Sequence, residues 1–249
     1  MLELKNISVG YGSKTVLRGT SVSFEKGKLY SIIGANGCGK STMLKAALGI
    51  LPLSRGEAFI DGIDIQTMAR GEIAKSAAYL AQGKSTPDMT VEQMVLHGRF
   101  SYLSYPRRYT ASDREMARAA MEVVGISHLA KHPLCTLSGG MRQTAYIAMA
   151  LAQDTDYILL DEPTTYLDIA HQLELMRVLR DLAEGGKGIV AVMHDIPLAF
   201  DFSDEITILH NGNALRKGSP SELSASPCIK EIFGVEIDRM AKNSFYYCY

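Results

Sequence analysis

The chain has 249 residues, 47% of them hydrophobic, and a formal net charge of −1. That length fits one large α/β domain, or one domain with an inserted subdomain, and it allows a substantial core. The near-zero charge gives no support for a nucleic-acid partner. The longest apolar run, AYIAMALA at 145–152, is far shorter than the ~18 residues of a membrane span. Four cysteines without a CxxC pair indicate free thiols rather than disulfides or a zinc site.

The N-terminal third predicts strands, one helix and a hairpin. MLELKNISVG alternates apolar and polar residues, which is typical of a half-buried strand and not of a signal peptide. TVLRGTSVSFE predicts a second strand of this antiparallel type, and LYSII (29–33) predicts a buried parallel strand. A helix is expected over about 40–48. EAFIDGIDI contains Asp61-Gly62, a hairpin-like turn, and SAAYLAQ (76–82) predicts another strand.

A mainly helical segment is predicted over 84–152. VEQMVLHGRF has the apolar spacing of a helix, the loop SYLSYPRRYT follows, and Ser112 or Asp113 caps a second helix that runs to about Val124. Strands and helices then alternate again. YILLD and GIVAVMHD predict strands, IAHQLELMRVLRDLA and IPLAFDFS predict helices, and EITILHNGNALRKG predicts a hairpin. We therefore expect one compact α/β unit over 1–249 with a helical inset.

A phosphate-binding loop follows the strand LYSII. GANGCGKST, Gly34 to Thr42, fits G-x-x-x-x-G-K-[ST] between a predicted strand and a predicted helix, which is the context of a P-loop. Its glycines let backbone N–H groups curl around phosphates. Lys40 is placed to reach the β- and γ-phosphates of ATP, and Ser41 offers a hydroxyl to Mg²⁺. Cys38 is expected to be a small filler whose modification by a thiol reagent blocks ATP binding.

Two carboxylates follow the strand YILLD. In YILLDEP (157–163) they stand at the carboxyl end of a predicted strand, where open α/β sheets bind their ligands. We expect Asp161 to hold Mg²⁺, directly or through water. We expect Glu162 to face the γ-phosphate and to polarise the attacking water as a general base.

The stretch LSGGMRQ, Leu137 to Gln143, predicts a second helix start that attracts anions. A serine and two glycines lead into a long helix, whose free N–H groups and positive dipole end favour negative charge. Serine and glycine are also ordinary N-cap residues. Alone, the stretch therefore does not distinguish an anion site from a plain helix cap.

Together these motifs resemble the nucleotide-binding subunits of ABC transporters over essentially the whole chain. The P-loop, LSGGMRQ, LLDEP, TTYLD and a strand ending in His-Asp follow one another in that family's order. The resemblance implies a RecA-like P-loop NTPase core with an antiparallel β subdomain and an inserted helical subdomain. It also implies that two subunits pair head to tail. Ser138, Gly139 and Gly140 would then bind the γ-phosphate that the partner's P-loop holds.

The resemblance assigns further roles residue by residue. Tyr11 matches an aromatic residue that stacks on adenine, and Gln82 matches a glutamine that senses Mg²⁺ and water. Asp168 matches a loop that crosses the dimer seam, and His194 a histidine that contacts the γ-phosphate and orients water. The predicted nucleotide-binding residues are Tyr11, Val16, Gly34, Asn36, Gly37, Cys38, Gly39, Lys40, Ser41, Thr42, Ser138, Gly139, Gly140 and Asp168. The predicted magnesium residues are Ser41, Gln82 and Asp161, and the predicted catalytic residues are Glu162, His194, Gln82 and Lys40.

The phrases TVEQMVLHGR, DEPTTYLDIAHQLELM and FGVEI resemble one subfamily, which serves importers of iron chelates (siderophores), haem and cobalamin. This resemblance implies a polytopic membrane permease as partner and a second ATPase subunit, expected to be identical. It further implies an extracytoplasmic substrate-binding protein that acts indirectly, and a location at the cytoplasmic face of the membrane. The expected permease groove spans Gln82 to Tyr109 and includes Tyr102, Tyr105, Arg107 and Arg108.

One alternative function and one departure from the family accompany this interpretation. The alternative is a soluble ABC-type ATPase that drives a non-transport assembly, such as iron–sulfur cluster biogenesis, whose members are similar in size. After LSGGMRQ the family often has a basic and a β-branched residue, whereas this chain has Thr144, Ala145 and then Tyr146. We expect these residues to alter helix packing or the interface rather than catalysis.

Overall fold

The computed structural model describes residues 1–83, 86–239 and 245–248. The strands are β1 (Leu2–Tyr11), β2 (Lys14–Phe24), β3 (Leu29–Ile33), β4 (Arg55–Ile60), β5 (Ile63–Asp64), β6 (Ala77–Leu80), β7 (Tyr157–Asp161), β8 (Gly188–Val192), β9 (Glu205–His210), β10 (Asn213–Gly218), β11 (Glu236–Arg239) and β12 (Phe245–Cys248). The α-helices are α1 (Lys40–Ala47), α2 (Arg70–Ser76), α3 (Val91–Leu96), α4 (Ala111–Val123), α5 (Gly139–Ala152), α6 (Ile169–Glu184), α7 (Ile196–Phe202), α8 (Pro220–Ser224) and α9 (Cys228–Phe233). Short 3₁₀ helices span His97–Tyr102, Ser127–Leu129 and Leu134–Thr136.

A six-stranded sheet in the order β10-β9-β3-β8-β7-β6 forms the centre of the fold. Its strands are parallel except for β10, which forms the predicted hairpin with β9. Every residue of β3, β7 and β8 is buried, and apart from Ser31 and the terminal Asp161 their sequences are predominantly apolar, as in strands covered on both faces. Leu29 and Ile33 join one apolar core, and Tyr30 and Ile32 join the core on the opposite face. Because the strands are parallel, the loops after them meet at one edge of the sheet.

A four-stranded antiparallel sheet, β2-β1-β4-β5, packs on the second of these cores. In its β4–β5 turn, Asp61 and Gly62 have φ angles of 50° and 83°, the left-handed pair of a type I′ hairpin. The Asp61 carboxylate contacts the N-terminal ammonium of Met1, Lys26 Nζ at 2.9 Å and the hydroxyl of Tyr157 at 3.0 Å. Burial acts to raise the pKa of Asp61, but these donors outweigh it and bring the pKa to about 2. The turn thereby joins the antiparallel sheet to β7.

The described chain between β6 and β7 is rich in helix, and its helices α3, α4 and α5 pack on one another. Met121 of α4 and Ile147 of α5 lie in the same core as one face of the parallel sheet. The predicted cap of α4 is wrong, since the N-cap is Thr110 and not Ser112 or Asp113. Thr110 Oγ1 accepts the Asp113 N–H at 3.2 Å, and the Asp113 carboxylate accepts the Thr110 N–H at 2.9 Å. Asp113 is thus the third helical residue of a capping box.

Two other regions differ from the sequence prediction. SAAYLAQ forms a strand only over Ala77–Leu80, because Ser76 ends the short helix α2, which buries none of its residues. After the β9–β10 hairpin, where the predicted elements stop, the chain adds α8, α9 and the antiparallel pair β11–β12. Within the described part of the chain, no helix has both the length and the apolar character to cross a bilayer.

Candidate functional site

The loop between β3 and α1 carries the predicted P-loop residues. Gly37 and Gly39 have φ angles of 76° and 111°, which favour glycine, and Gly39 stands directly before the first turn of α1. A Cβ on Gly39 would lie 2.7 Å from Leu17 Cδ2 and 3.1 Å from Val16 Cγ1, so this position also lacks room for a side chain. The loop and the start of α1 together form one wall of a cavity. A helix start on such a wall attracts anions.

Lys40 has its ammonium group inside this loop. Nζ donates to the carbonyl oxygens of Gly34 at 2.7 Å and Ala35 at 3.1 Å, and the residue is only 6% exposed. A buried ammonium needs such acceptors, because they offset its lost hydration. A cation beside a helix start suits a chain of phosphates.

Asp161, the last residue of β7, lies beside Ser41. Ser41 Oγ donates to Asp161 Oδ1 at 2.9 Å, and the Tyr79 hydroxyl donates to Asp161 Oδ2 at 3.3 Å. Asp161 is 2% exposed, and this burial raises its pKa although both hydroxyl donors act to lower it. Hydroxyl and carboxylate oxygens are the hard ligands that Mg²⁺ prefers. The pair therefore fits one side of a magnesium site, which phosphate oxygens and water would complete.

Glu162 forms one network with two other predicted catalytic residues, Gln82 and His194. Its carboxylate accepts from Gln82 Nε2 at 2.5 Å and from Thr165 Oγ1 at 3.3 Å, and its other oxygen lies 2.5 Å from His194 Nε2. The backbone of Glu162 has a φ of 54°, which is uncommon for a residue other than glycine. Such backbone strain is often found at functional sites. The network can hold a carboxylate in position for proton transfer.

Most of these residues line one cavity of about 520 Å³, a size usual for small-molecule sites. Its walls are Tyr11, Val16, Asn36, Gly37, Gly39, Lys40, Ser41, Thr42, Gln82, Glu162 and His194. The predicted residues Gly34, Cys38 and Asp161 are buried and do not line this cavity. Cys38 packs into the core of the antiparallel sheet, and burial raises the pKa of its thiol. We refer to this space as the P-loop cavity.

The remaining predicted residues, Ser138, Gly139, Gly140 and Asp168, line a separate cavity of about 420 Å³. Ser138 caps α5, since its Oγ accepts the Met141 N–H at 3.3 Å. Asp168 caps α6 by accepting the His171 N–H at 2.9 Å, and this backbone bond and the His171 ring lower its pKa. The residues that line the two cavities do not overlap. One chain therefore carries the two predicted phosphate-binding segments on separate cavities.

Residues 17–165 match the family described as "ABC transporter". The matched range holds the P-loop, the Ser138–Gly140 helix start and the Asp161–Glu162 pair. The chain belongs to the ABC transporter family. It is an ATP-binding ATPase of that family. The ferric enterobactin transport ATP-binding protein FepC of Escherichia coli (strain K12) is 40% identical over 93% of this chain and 86% of its own length.

Two solved ABC structures have the same fold. The dimeric bacterial ABC transporter cassette MJ0796 is 29% identical, with a TM-score of 0.78, over 88% of this chain and 99% of that one. An inward-facing ABC transporter described as of metal-chelate type is 27% identical, with a TM-score of 0.84, over 99% of this chain and 95% of that one. These likenesses confirm the predicted P-loop NTPase fold class.

Two residues of this ABC site were not singled out from the sequence, Tyr79 and Thr165. Tyr79 reaches Asp161 because β6 runs parallel to β7 and places Tyr79 opposite Leu159, two positions before the carboxylate. A prediction that β6 pairs with β7 would have indicated that Tyr79 lies beside Asp161. Thr165 contacts Glu162 through a turn in which its N–H also donates to the Glu162 carbonyl at 3.3 Å.

The three residues that depart from the family pattern lie along α5. Thr144 Oγ1 donates to the Gly140 carbonyl at 3.1 Å, within its own helix, and Thr144 borders the second cavity. Ala145 and Tyr146 are buried in the core. None of the three lines the P-loop cavity. An effect on helix packing or on the interface stays our prediction.

Proposed function

We propose that this chain is the ATP-binding subunit of an importer, and that two copies pair head to tail to power uptake of an iron–siderophore, haem or cobalamin-type chelate. One observation carries the pairing, namely that Ser138–Gly140 lie on a cavity separate from that of Lys40. A second copy related by a two-fold axis would bring each Ser138 to the partner's P-loop cavity. The dimeric state of the similar MJ0796 cassette supports this arrangement.

The P-loop cavity has the groups that ATP requires. Tyr11, half exposed on its wall, offers a ring face to adenine. Lys40 can exchange its two carbonyl acceptors for phosphate oxygens without moving far from the loop. Ser41 and Asp161 would hold Mg²⁺, which neutralises phosphate charge and acts as a Lewis acid when bound.

Hydrolysis needs Glu162 to accept the proton of the attacking water. The water oxygen forms the new bond to the γ-phosphorus, the bond to the β-phosphate oxygen breaks, and ADP leaves. In the structure described here both carboxylate oxygens of Glu162 are already engaged, one by Gln82 and one by His194. The oxygen that Gln82 contacts also accepts from Thr165, so both of its lone pairs are used. The oxygen beside His194 keeps a second lone pair, which can accept the proton of the water.

The importer assignment rests on relatives and on one surface. FepC is named for ferric enterobactin transport, and the metal-chelate type transporter is similar over nearly the whole chain. We propose that a permease contacts a third cavity of about 480 Å³, in the region predicted for that contact. Its lining residues are Asp88, Met89, Gln93, Leu96, His97, Tyr109 and Arg114. The subunit would then sit at the cytoplasmic face of the membrane, with a substrate-binding protein on the other side.

The proposed aromatic anchors of that contact differ in their surroundings. Tyr105 is 95% exposed, which suits an anchor for a partner. Tyr102 is instead held internally, because its hydroxyl donates to the Gln153 carbonyl at 3.0 Å and its ring lies 3.9 Å from the Arg99 guanidinium carbon. We therefore assign the permease contact to Tyr105 and treat Tyr102 as structural.

The pairing is tested with Glu162→Gln, which removes the proton acceptor and keeps the shape of the side chain. With saturating ATP and Mg²⁺ this variant is expected to elute as a dimer in size-exclusion chromatography. The same variant in EDTA, or with ADP, is the control and should elute as a monomer. A monomer with ATP and Mg²⁺ would contradict the pairing, and full hydrolysis by the variant would remove Glu162 from the base role.

The importer role is tested by purifying tagged chain from detergent-solubilised membranes, followed by mass spectrometry. A polytopic permease among the captured proteins supports the importer, and Tyr105→Ala should reduce its recovery. Soluble assembly factors alone would favour the non-transport ATPase. The cargo follows from proteoliposomes of the captured complex, in which a ferric siderophore, haem or cobalamin is compared for stimulation of ATP hydrolysis.

A further inference from the structure

The loop between β7 and α6, residues 162–168, borders both cavities. Glu162 lines the P-loop cavity, while Tyr166, Leu167 and Asp168 line the second one. Glu162 and Tyr166 both have left-handed backbones, with φ angles of 54° and 71°. Left-handed backbone is unfavourable for residues with a Cβ. The conformation of this loop therefore depends on contacts from its surroundings.

Helix α5 contacts both ends of this loop, near Pro163 and near Tyr166. A Cβ on Gly140 would lie 3.3 Å from the Tyr166 carbonyl oxygen, so the first turn of α5 packs against the far end of the loop. Further along the same helix, Gln143 Nε2 donates to the Pro163 carbonyl at 3.1 Å, directly beside Glu162. Residues three positions apart on a helix share a face. A short rigid piece of helix thus connects the Ser138–Gly140 helix start to the backbone that carries Glu162.

A second glutamine holds the same loop in a different way. Gln172 Nε2 donates to the carbonyls of Thr164 at 3.3 Å and Leu167 at 3.1 Å. Gln172 belongs to α6, which continues directly from the loop. Its bonds therefore brace the loop locally and do not connect it to α5. Gln143 and Gln172 provide a matched pair, with the same side chain and the same loop but different helices.

We propose that Gln143 is a positioning residue that couples the two composite ATP sites through one chain. When Ser138 and Gly140 meet the partner's nucleotide, α5 shifts, and Gln143 passes that shift to Pro163 and so to the carboxylate of Glu162. The inference rests on the proposed head-to-tail pairing. Its consequence is that ATP at one site sets the hydrolytic geometry at the other, so that hydrolysis depends cooperatively on ATP concentration.

The test compares Gln143→Met with Gln172→Met, each of which removes the amide donor and keeps the length of the side chain. Hydrolysis is measured against ATP concentration, together with binding of a fluorescent ATP analogue and the melting temperature. For the wild type we expect a Hill coefficient approaching about 2, the number of sites. For Gln143→Met we expect about 1, and roughly fivefold slower turnover at saturating ATP, from the loss of one hydrogen bond. Affinity of the separate subunit for the analogue should be unchanged.

Gln172→Met loses two hydrogen bonds, so its melting temperature should fall at least as far as that of Gln143→Met. Its Hill coefficient should nevertheless stay at the wild-type value. A wild-type Hill coefficient in Gln143→Met would overturn the coupling, and so would an equal fall of the Hill coefficient in both variants. A wild type that hydrolyses ATP with a coefficient of 1 would also overturn it. Size-exclusion chromatography of Glu162→Gln with ATP and Mg²⁺ tests the pairing independently. A dimer in that experiment would keep the proposed function even if the coupling through Gln143 failed.

Discussion

Alanine at Gly39 and alanine at Gly37 are expected to damage this protein in different ways. Both glycines have positive φ angles, so either substitution costs ~1–2 kcal/mol of folding free energy from the backbone alone. At Gly39 the new methyl would lie 2.7 Å from Leu17 Cδ2, and Leu17 is fully buried. Overpacking of this kind adds ~1–3 kcal/mol. Gly39→Ala should therefore be destabilised by about 2–5 kcal/mol in all.

At Gly37 a Cβ would have no atom within 4 Å, and the residue lines the P-loop cavity. The methyl of Gly37→Ala would thus enter open space on the wall where we expect phosphates. Its cost to the fold should stay at the backbone figure of ~1–2 kcal/mol. Its affinity for ATP should fall at least tenfold, since a ~1.4 kcal/mol loss of contact already has that effect.

Equilibrium urea unfolding gives the free energy of unfolding of each variant, and titration with a fluorescent ATP analogue gives the affinity. Unfolding free energies that are equal for the two variants would refute the steric argument at Gly39. Wild-type affinity in Gly37→Ala would show that the phosphates do not approach that wall.

Three further predictions concern other residues of the site and fold. Asp161→Asn should keep binding of ATP in EDTA but lose Mg²⁺-dependent hydrolysis by about 100-fold or more, and equal activity of variant and wild type would exclude Asp161 from the metal site. Iodoacetamide at pH 7 should alkylate exposed Cys135 at least ~10-fold faster than Cys38, whose thiol is buried and has a raised pKa, as followed by peptide mass spectrometry. The pKa of Asp61 is lowered from 3.8 to about 2, so its ionised form stabilises the fold by at most ~2.4 kcal/mol. Because this carboxylate is 39% exposed, solvent screening reduces the contribution to about 1 kcal/mol. The stability advantage of the wild type over Asp61→Asn should therefore be constant above about pH 5 and vanish as the pH falls through 4 towards 2, which urea unfolding at several pH values would check.

The sequence predicted the parts of this fold that local patterns determine. The P-loop has a fixed spacing between a buried strand and a helix, and the Asp61-Gly62 turn has a residue pair that few other backbone conformations favour. Helix α2 was missed because it buries no residue and so has no apolar periodicity. The cap of α4 was misplaced because Thr110, Ser112 and Asp113 are all good caps. The capping box formed by Thr110 and Asp113 decides among them.

The candidate site was predictable where a motif fixes the chemistry and unpredictable where tertiary packing does. Lys40, Ser41 and Asp161 follow from motif spacing. The contact of Tyr79 with Asp161 depends on β6 being the neighbour of β7, and the local sequence YLAQ does not indicate that pairing. Gln143 depends on the distance between α5 and the loop at Pro163, which is a property of helix packing.

The two hydrogen bonds that Lys40 donates to carbonyl oxygens affect which molecules the site can bind. The ammonium donates to the carbonyl oxygens of Gly34 and Ala35, so a ligand that binds it must offer better acceptors than two peptide oxygens. A polyphosphate does so, because charge-assisted hydrogen bonds are roughly twice as strong as neutral ones. Adenosine has no phosphate and offers no such acceptor. In the proposed ATP site, Lys40 would therefore select nucleoside triphosphates over the nucleosides that share their base.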